Sequence, residues 1–232
     1  MKNWPVLAFA NLDDFIIAEL LPCLNESSRR RAAEFKNPHR LKQFLLGQLL
    51  LQRLYRNLFQ TDMPSASYEE NGRPFFNDSD VTFNLSHSRN LVVCGINQSG
   101  HVGVDIEYVN SKRNWQDIAK ECFSKEELDC LAKAEEPLNQ FYSLWTLKES
   151  VLKLLGQGVP RMSEVYVDQN GNTVSHSLSL KKGACWSVEI EDYCCSVCVD
   201  EISDDDSPRC LLLSSCGDLS QVDLLSRHYD VC

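Results

Sequence analysis

Val102-Gly103-Val104-Asp105-Ile106-Glu107-Tyr108 is the stretch on which the architecture turns. Val102, Val104 and Ile106 fall on alternate positions, the period of a strand, which leaves Asp105 and Glu107 together on the other face. On the N-terminal side, residues 26–60 are helix-rich, with Leu41, Leu45, Leu49, Leu50, Leu54 and Leu58 at helical spacing. Asn71-Gly72 and Pro74 then mark a turn, and Val81–Ser88 and Leu91–Asn97 alternate like strands. On the C-terminal side the order repeats. Asn114–Cys122 is helical, Ser124 with Glu127 gives a capping box, and Pro137 opens a long helix through Leu155 that Gly156 and Gly158 end. From about Val165 the chain reads as short strands. Helices then strands, twice, predicts an α+β protein of two similar lobes, residues 1–103 and 104–232.

The 232 residues are enough for such a pair, and 43% hydrophobic content with 24% charge suits a chain that buries a real core. No apolar run reaches the length of a membrane span, and Met1-Lys2-Asn3-Trp4-Pro5 leads into no long apolar h-region or small-residue cleavage site. No membrane or signal peptide is expected, and a cytoplasmic protein is. A net charge of -10 argues against nonspecific nucleic-acid binding. Locally the sign reverses: Arg29, Arg30, Arg31, Lys36, Arg40 and Lys42 stand against the single acid Glu34. This run is either a solvated helix face or an anion site on an acidic protein. The 11 cysteines include the lone pair Cys195-x-x-Cys198, with no second pair for structural zinc, and read as buried thiols of a reducing compartment.

Three segments place polar residues where the pattern would otherwise be apolar. Asp105 and Glu107, about 7 Å apart on one strand face, repel unless a cation or donors stand between them. Oxygen ligands of this kind suit magnesium, and an exposed strand face is the plainer alternative. Glu149 and Lys153 share a helix face, as a surface pair or as a third carboxylate and a cation beside a metal-bound diphosphate. Ser86-His87-Ser88 has no G-x-S-x-G elbow around it. At a strand end it would offer hydroxyls, an imidazole and backbone N–H groups to an anion, though a histidine beside serines is also commonly structural.

In order and spacing the chain resembles the Sfp-type 4'-phosphopantetheinyl transferases. The resemblance rests on Gly72-Arg73-Pro74, Asn84-Leu85-Ser86-His87-Ser88, Gly103-Val104-Asp105-Ile106-Glu107, Phe123-Ser124-x-x-Glu127 and Trp145-x-x-Lys148-Glu149-Ser150-x-x-Lys153-x-x-Gly156-x-Gly158. It covers roughly residues 29–160. It implies two lobes related by a pseudo-twofold, coenzyme A in the cleft between them, and transfer of the phosphopantetheine arm to a serine of an apo-carrier protein, the holo-acyl-carrier-protein synthase reaction, with release of 3',5'-ADP. Asp105, Glu107 and Glu149 would hold Mg2+ on the coenzyme A diphosphate. Ser86 and His87 would contact phosphates, Arg73 would take the place of the family's usual lysine, and Arg40, with Lys42 nearly as good, would meet the 3'-phosphate or adenine side. Lys153 would bind the diphosphate and steady the leaving group, and Glu149 could act as general base. Carriers are usually acidic, so docking on this acidic chain would rely on a local basic or apolar patch, for which Arg29–Lys42 is the candidate. A monomer is expected. The competing readings are a descendant that binds coenzyme A or a carrier without catalysis, and a magnesium-dependent nucleotide phosphohydrolase.

Overall fold

The structure is a computed structural model that describes residues 5–168, 170, 172–177, 183–200 and 207–231. The first half contains β1 (Val6–Asn11), α1 (Ile17–Leu20), α2 (Glu26–Ala32), α3 (Pro38–Phe59), β2 (Ala66–Tyr68), β3 (Pro74–Phe76), β4 (Thr82–Ser88), β5 (Leu91–Asn97) and β6 (Val102–Tyr108). Next come α4 (Trp115–Cys122), α5 (Lys125–Lys133), α6 (Pro137–Leu154), β7 (Val165–Asp168), β8 (Thr173–His176), β9 (Gly183–Ile190), β10 (Tyr193–Val199), β11 (Arg209–Leu213), β12 (Leu219–Val222) and β13 (Ser226–Val231). This is the α+β class the sequence predicts.

Local chemistry explains the helices. Asn37 caps α3 by accepting from His39 and Arg40 N–H groups, Pro38 sits where a missing N–H costs nothing, and the buried leucines 45, 46, 49, 50, 54 and 58 form its inner face. The predicted capping box is present at α5, with Ser124 accepting from the Glu127 N–H and Glu127 from the Ser124 N–H. Helix α6 starts at Pro137 as expected and stops at Leu154, followed by Gly156 at φ +65°.

The strands form sheets ordered β12-β11-β1-β5-β4 and β6-β10-β9-β13-β8-β7, with β2 and β3 as a separate hairpin. Alternation divides the core into layers. Val6, Ala8 and Ala10 of β1 face the cluster under α3, while Leu7 and Phe9 face a cluster shared with Val104, Ile106, Trp186 and Val197 of the other sheet. Cys194 and Cys198 of β10 turn outward to α6, whereas Cys195 and Val197 turn inward. Helix α3, the two sheets and α6 therefore stack in that order.

Two sequence readings need revision here. A division after residue 103 is crossed by β11 and β12, because β11 pairs in parallel with β1, Val6 opposite Arg209 through Phe9 opposite Leu212. The apolar strand Cys210–Leu213 covers the free edge of β1, and nothing in its own pattern names that partner. The cysteines are also not uniformly thiols. Cys185 and Cys198 stand directly opposite across β9 and β10 with their sulfurs in bonding contact, while Cys94, Cys194, Cys195 and Cys210 are buried and free. Burial pushes the Cys194 and Cys210 thiols up to about 12, which leaves them inert.

Candidate active site

The site grows from the seam where edge strand β4 of one sheet meets edge strand β6 of the other. Every second side chain of β4 accepts from every second N–H of β6. Val104 donates to Asn84 Oδ1 (3.2 Å), Ile106 to Ser86 Oγ (3.4 Å) and Tyr108 to Ser88 Oγ (3.0 Å). The hydroxyl protons turn to the intervening carboxylates: Ser86 donates to Asp105 Oδ1 (2.9 Å) and Ser88 to Glu107 Oε2 (2.8 Å). Side chains thus replace the missing backbone ladder and fix both acids, a use of short hydroxyl residues that period-2 geometry makes possible.

Helix α6 lies directly on this seam. A Cβ on Gly103 would stand 2.0 Å from the Ser150 carbonyl and 2.4 Å from the Leu154 nitrogen, so only glycine lets the helix approach β6 this closely. The approach brings Lys153 Nζ to Asp105 Oδ1 (2.7 Å), Ser86 Oγ (2.9 Å) and the Val104 carbonyl (3.1 Å). Glu149, one turn earlier, has its carboxyl pushed up to about 7 by burial and then by the Asp105 charge, against the pull of Lys153. Glu107 is raised by burial and by Asp105, while Ser88 and Arg113 oppose the shift. Arg113 Nη1 lies 3.7 Å from Glu107 Oε1, and its guanidinium rests over the Trp145 ring at 5.0 Å.

These carboxylates fit a hard divalent cation in donor chemistry. All offer oxygen, the Asp105 charge raises the proton affinity of Glu107 and Glu149, and Asp105 Oδ2 is buried without a hydrogen-bond partner among the described residues. Among the described residues no three such groups already stand at metal-holding distances from one point. Asp105 Oδ1 is held by Lys153 and Ser86, and Glu107 by Ser88 with Arg113 near it.

Ser86 also reaches the edge of a cavity of about 310 Å³ lined by Arg31, Arg40, Phe44, Tyr68 and His87. Arg31 donates to the Tyr68 hydroxyl and lies over the rings of Tyr68 (4.8 Å) and Phe44 (5.5 Å). Partial desolvation, then the Arg40 charge, hold the His87 imidazole below its ordinary value. The cavity is therefore cationic and aromatic at once, as a nucleotide or another aromatic anion requires. A larger cavity of about 740 Å³, near Glu136, Ser143 and Glu189, holds none of the predicted site residues.

Of the residues singled out in the sequence, Asp105, Ser86 and Lys153 form one hydrogen-bonded knot, with Glu107 and Glu149 electrostatically coupled to Asp105. Arg40 and His87 share the adjoining cavity; Lys42 does not line it. Arg73 is elsewhere engaged, with Glu69 and the Leu154 carbonyl. Sequence reading quoted Asn84 and Ser88 with Ser86 but did not see that all three, on one parity, accept from the N–H groups of β6. It passed over Arg113, which sits in a loop with no pattern, and did not single out Arg31 within the basic run.

The chain is similar in sequence to known proteins of one family. The family model for the 4'-phosphopantetheinyl transferase superfamily matches residues 101–198, from β6 through most of β10. The 4'-phosphopantetheinyl transferase gsp of Aneurinibacillus migulanus is 34% identical over 164 residues, 66% of this chain and 67% of that protein. HetI of a Nostoc species, a 4'-phosphopantetheinyl transferase, is 27% identical over 74% of this chain and 75% of its own length. Sfp of Bacillus subtilis, likewise a 4'-phosphopantetheinyl transferase, is 34% identical over 141 residues, 62% of its own length.

Proposed function

We propose that this chain, which belongs to the 4'-phosphopantetheinyl transferase superfamily, transfers the 4'-phosphopantetheine arm of coenzyme A to a serine of an apo-carrier protein. The observation that carries the reading is Ser86, which belongs at once to the cationic, aromatic cavity and to the knot of Lys153 and Asp105. Coenzyme A needs both environments side by side: a cationic cleft for its 3',5'-bisphosphate end and a charged centre for its diphosphate.

In this reading the carrier hydroxyl attacks the β-phosphorus, an O–P bond to pantetheine phosphate forms, and the bond to the departing 3',5'-ADP breaks. Asp105, Glu107 and Glu149 would hold Mg2+, which when bound neutralises charge on the phosphoryl oxygens. Lys153 stands at the same centre as a fixed cation for the diphosphate and the leaving group. Arg40, His87 and Arg31 take the bisphosphate end, with Phe44 and Tyr68 available to the base. Glu149, whose carboxyl titrates at about 7, is suited to accept the serine proton when it is not fully committed to the metal. Both halves of the site come from one chain, which supports a monomer. The use of coenzyme A supports a cytoplasmic setting. No helix among the described residues is long and apolar enough to cross a membrane.

The test is intact mass of a purified apo-acyl carrier protein incubated with this protein, coenzyme A and magnesium. The expected result is addition of one phosphopantetheine arm, abolished by chelator. Coenzyme A binding with no modification of any carrier type would leave a binding protein, and 3',5'-ADP release without a carrier would leave a hydrolase.

A further inference from the structure

Arg73, a predicted ligand contact, already donates from Nε and from both terminal nitrogens within the protein. Its side chain is 19% exposed. Nε and Nη2 donate to the two oxygens of Glu69 (3.1 and 2.7 Å), and Nη1 donates to the Leu154 carbonyl (2.9 Å). A planar guanidinium makes this fork-and-cap arrangement, and an ammonium cannot, because it has no parallel pair of donors for the carboxylate. The Leu154 carbonyl is among the last of α6, which lack intrahelical partners and attract cations.

The rest of the β2–β3 turn reinforces the contact. Asn71 Oδ1 accepts from the Arg73 N–H (2.9 Å), and Asn71 Nδ2 donates to Glu69 (3.2 Å). Asn71 also lies so close over Gly156 that a Cβ there would stand 2.3 Å from its amide nitrogen. The Arg73 hydrogen bond holds the Glu69 carboxyl below its ordinary range, so the pair is charged at neutral pH. The end of α6 is thus gripped from two directions, by β6 at Gly103 and by the β2–β3 turn at Leu154 and Gly156. Lys153 sits between these grips.

We propose that Arg73 is a positioning residue. With Glu69 it clamps the β2–β3 turn to the end of α6 and so fixes where Lys153 stands; it does not itself bind the phosphates of the ligand. This rests on the transferase reading above. An anion seeking the Nε–Nη2 fork of Arg73 would have to displace a bidentate carboxylate, and it would loosen the helix end in doing so.

Glu69→Gln separates the two roles by sign. A guanidinium waiting for phosphate is freed by this change and loses a competing negative charge, so KM for coenzyme A would fall. A clamp is weakened, so kcat falls roughly tenfold through displacement of Lys153, and KM for coenzyme A stays the same or rises. Arg73→Lys keeps the charge and loses the fork. It is expected to show the same fall in kcat, where a plain phosphate contact would tolerate it. Hydrogen exchange of the Leu155, Gly156 and Gln157 amides in the protein alone gives a readout independent of activity. It is expected to rise about tenfold in both variants, with α3 unchanged as the folding control. A lowered KM in Glu69→Gln, or unchanged exchange in both variants, overturns the proposal. Failure of the wild-type protein to modify any carrier would overturn the transferase reading instead, and the exchange result would still decide whether the clamp exists.

Discussion

Strands β4 and β6 run beside each other at the centre of the molecule, yet they bring different chemistry to the seam. From β4 and the helix layer of its sheet come neutral donors and acceptors (Asn84, Ser86, His87, Ser88) and the cations Arg31 and Arg40. From β6 and α6 come three carboxylates and Lys153. The layers behind them differ too. Beneath α3 the core is almost wholly aliphatic and aromatic. Behind α6 it contains the ion pair of Lys148 and Glu127 at 2.6 Å, with side chains 0% and 2% exposed. Glu127 also accepts from the Val167 and Ser124 N–H groups, so one buried carboxylate ties α5, α6 and β7 together. The contrast teaches that the layer beneath α3 is held by apolar packing, whereas behind α6 a buried ion pair belongs to the fold itself.

Lys148→Met tests that contrast most severely. It leaves a charged Glu127 buried without its cation, and a loss of about 3–5 kcal/mol is expected in urea denaturation. Adding Glu127→Gln should return part of it; if the single variant is as stable as wild type, the two sides do not differ in this way. Glu149→Gln should lower carrier modification by ~10²–10³-fold with coenzyme A binding retained, as isothermal titration would show. On the β4 side, Arg31→Ala should raise KM for coenzyme A about tenfold with kcat little changed and the melting temperature nearly unaltered. A kcat effect there would blur the division between holding and reacting.

The metal-free protein should also report Glu149 through pH. Its carboxyl holds a proton to about 7 in the folded state and releases it near 4.5 when unfolded. The stabilising contribution is therefore complete below pH 4.5 and lost as pH rises through 7. Unfolding free energy in chelator, read from urea denaturation, should fall between pH 5 and 8 by on the order of 1 kcal/mol more in wild type than in Glu149→Gln. An equal slope in the two would place the raised proton affinity on another group. The smallest effect belongs to the exposed Glu26–Arg30 pair, whose removal should leave the denaturation midpoint unchanged within error.

Much of this was legible in the chain. Leucine spacing gave α3, the serine–glutamate box gave the start of α5, and alternation placed Asp105 and Glu107 on one face, because each depends only on neighbours a few residues away. The direction of Arg73 was not legible, since a positive charge in a turn looks the same whether it awaits a phosphate or caps a helix eighty-one residues on. Neither was Arg113, whose place depends on Trp145 beneath it.

The sequence by itself determined the main helices, the strands around the β4–β6 seam, the α+β class and the placing of Asp105 and Glu107 on one strand face. Tertiary structure alone decided that β11 returns to β1, that Asn84, Ser86 and Ser88 stitch one sheet edge to the other, and that Gly103 is where α6 touches β6. The reason is physical: helix and strand periods are properties of consecutive residues, whereas which edges meet is chosen by the burial of surfaces far apart in the chain.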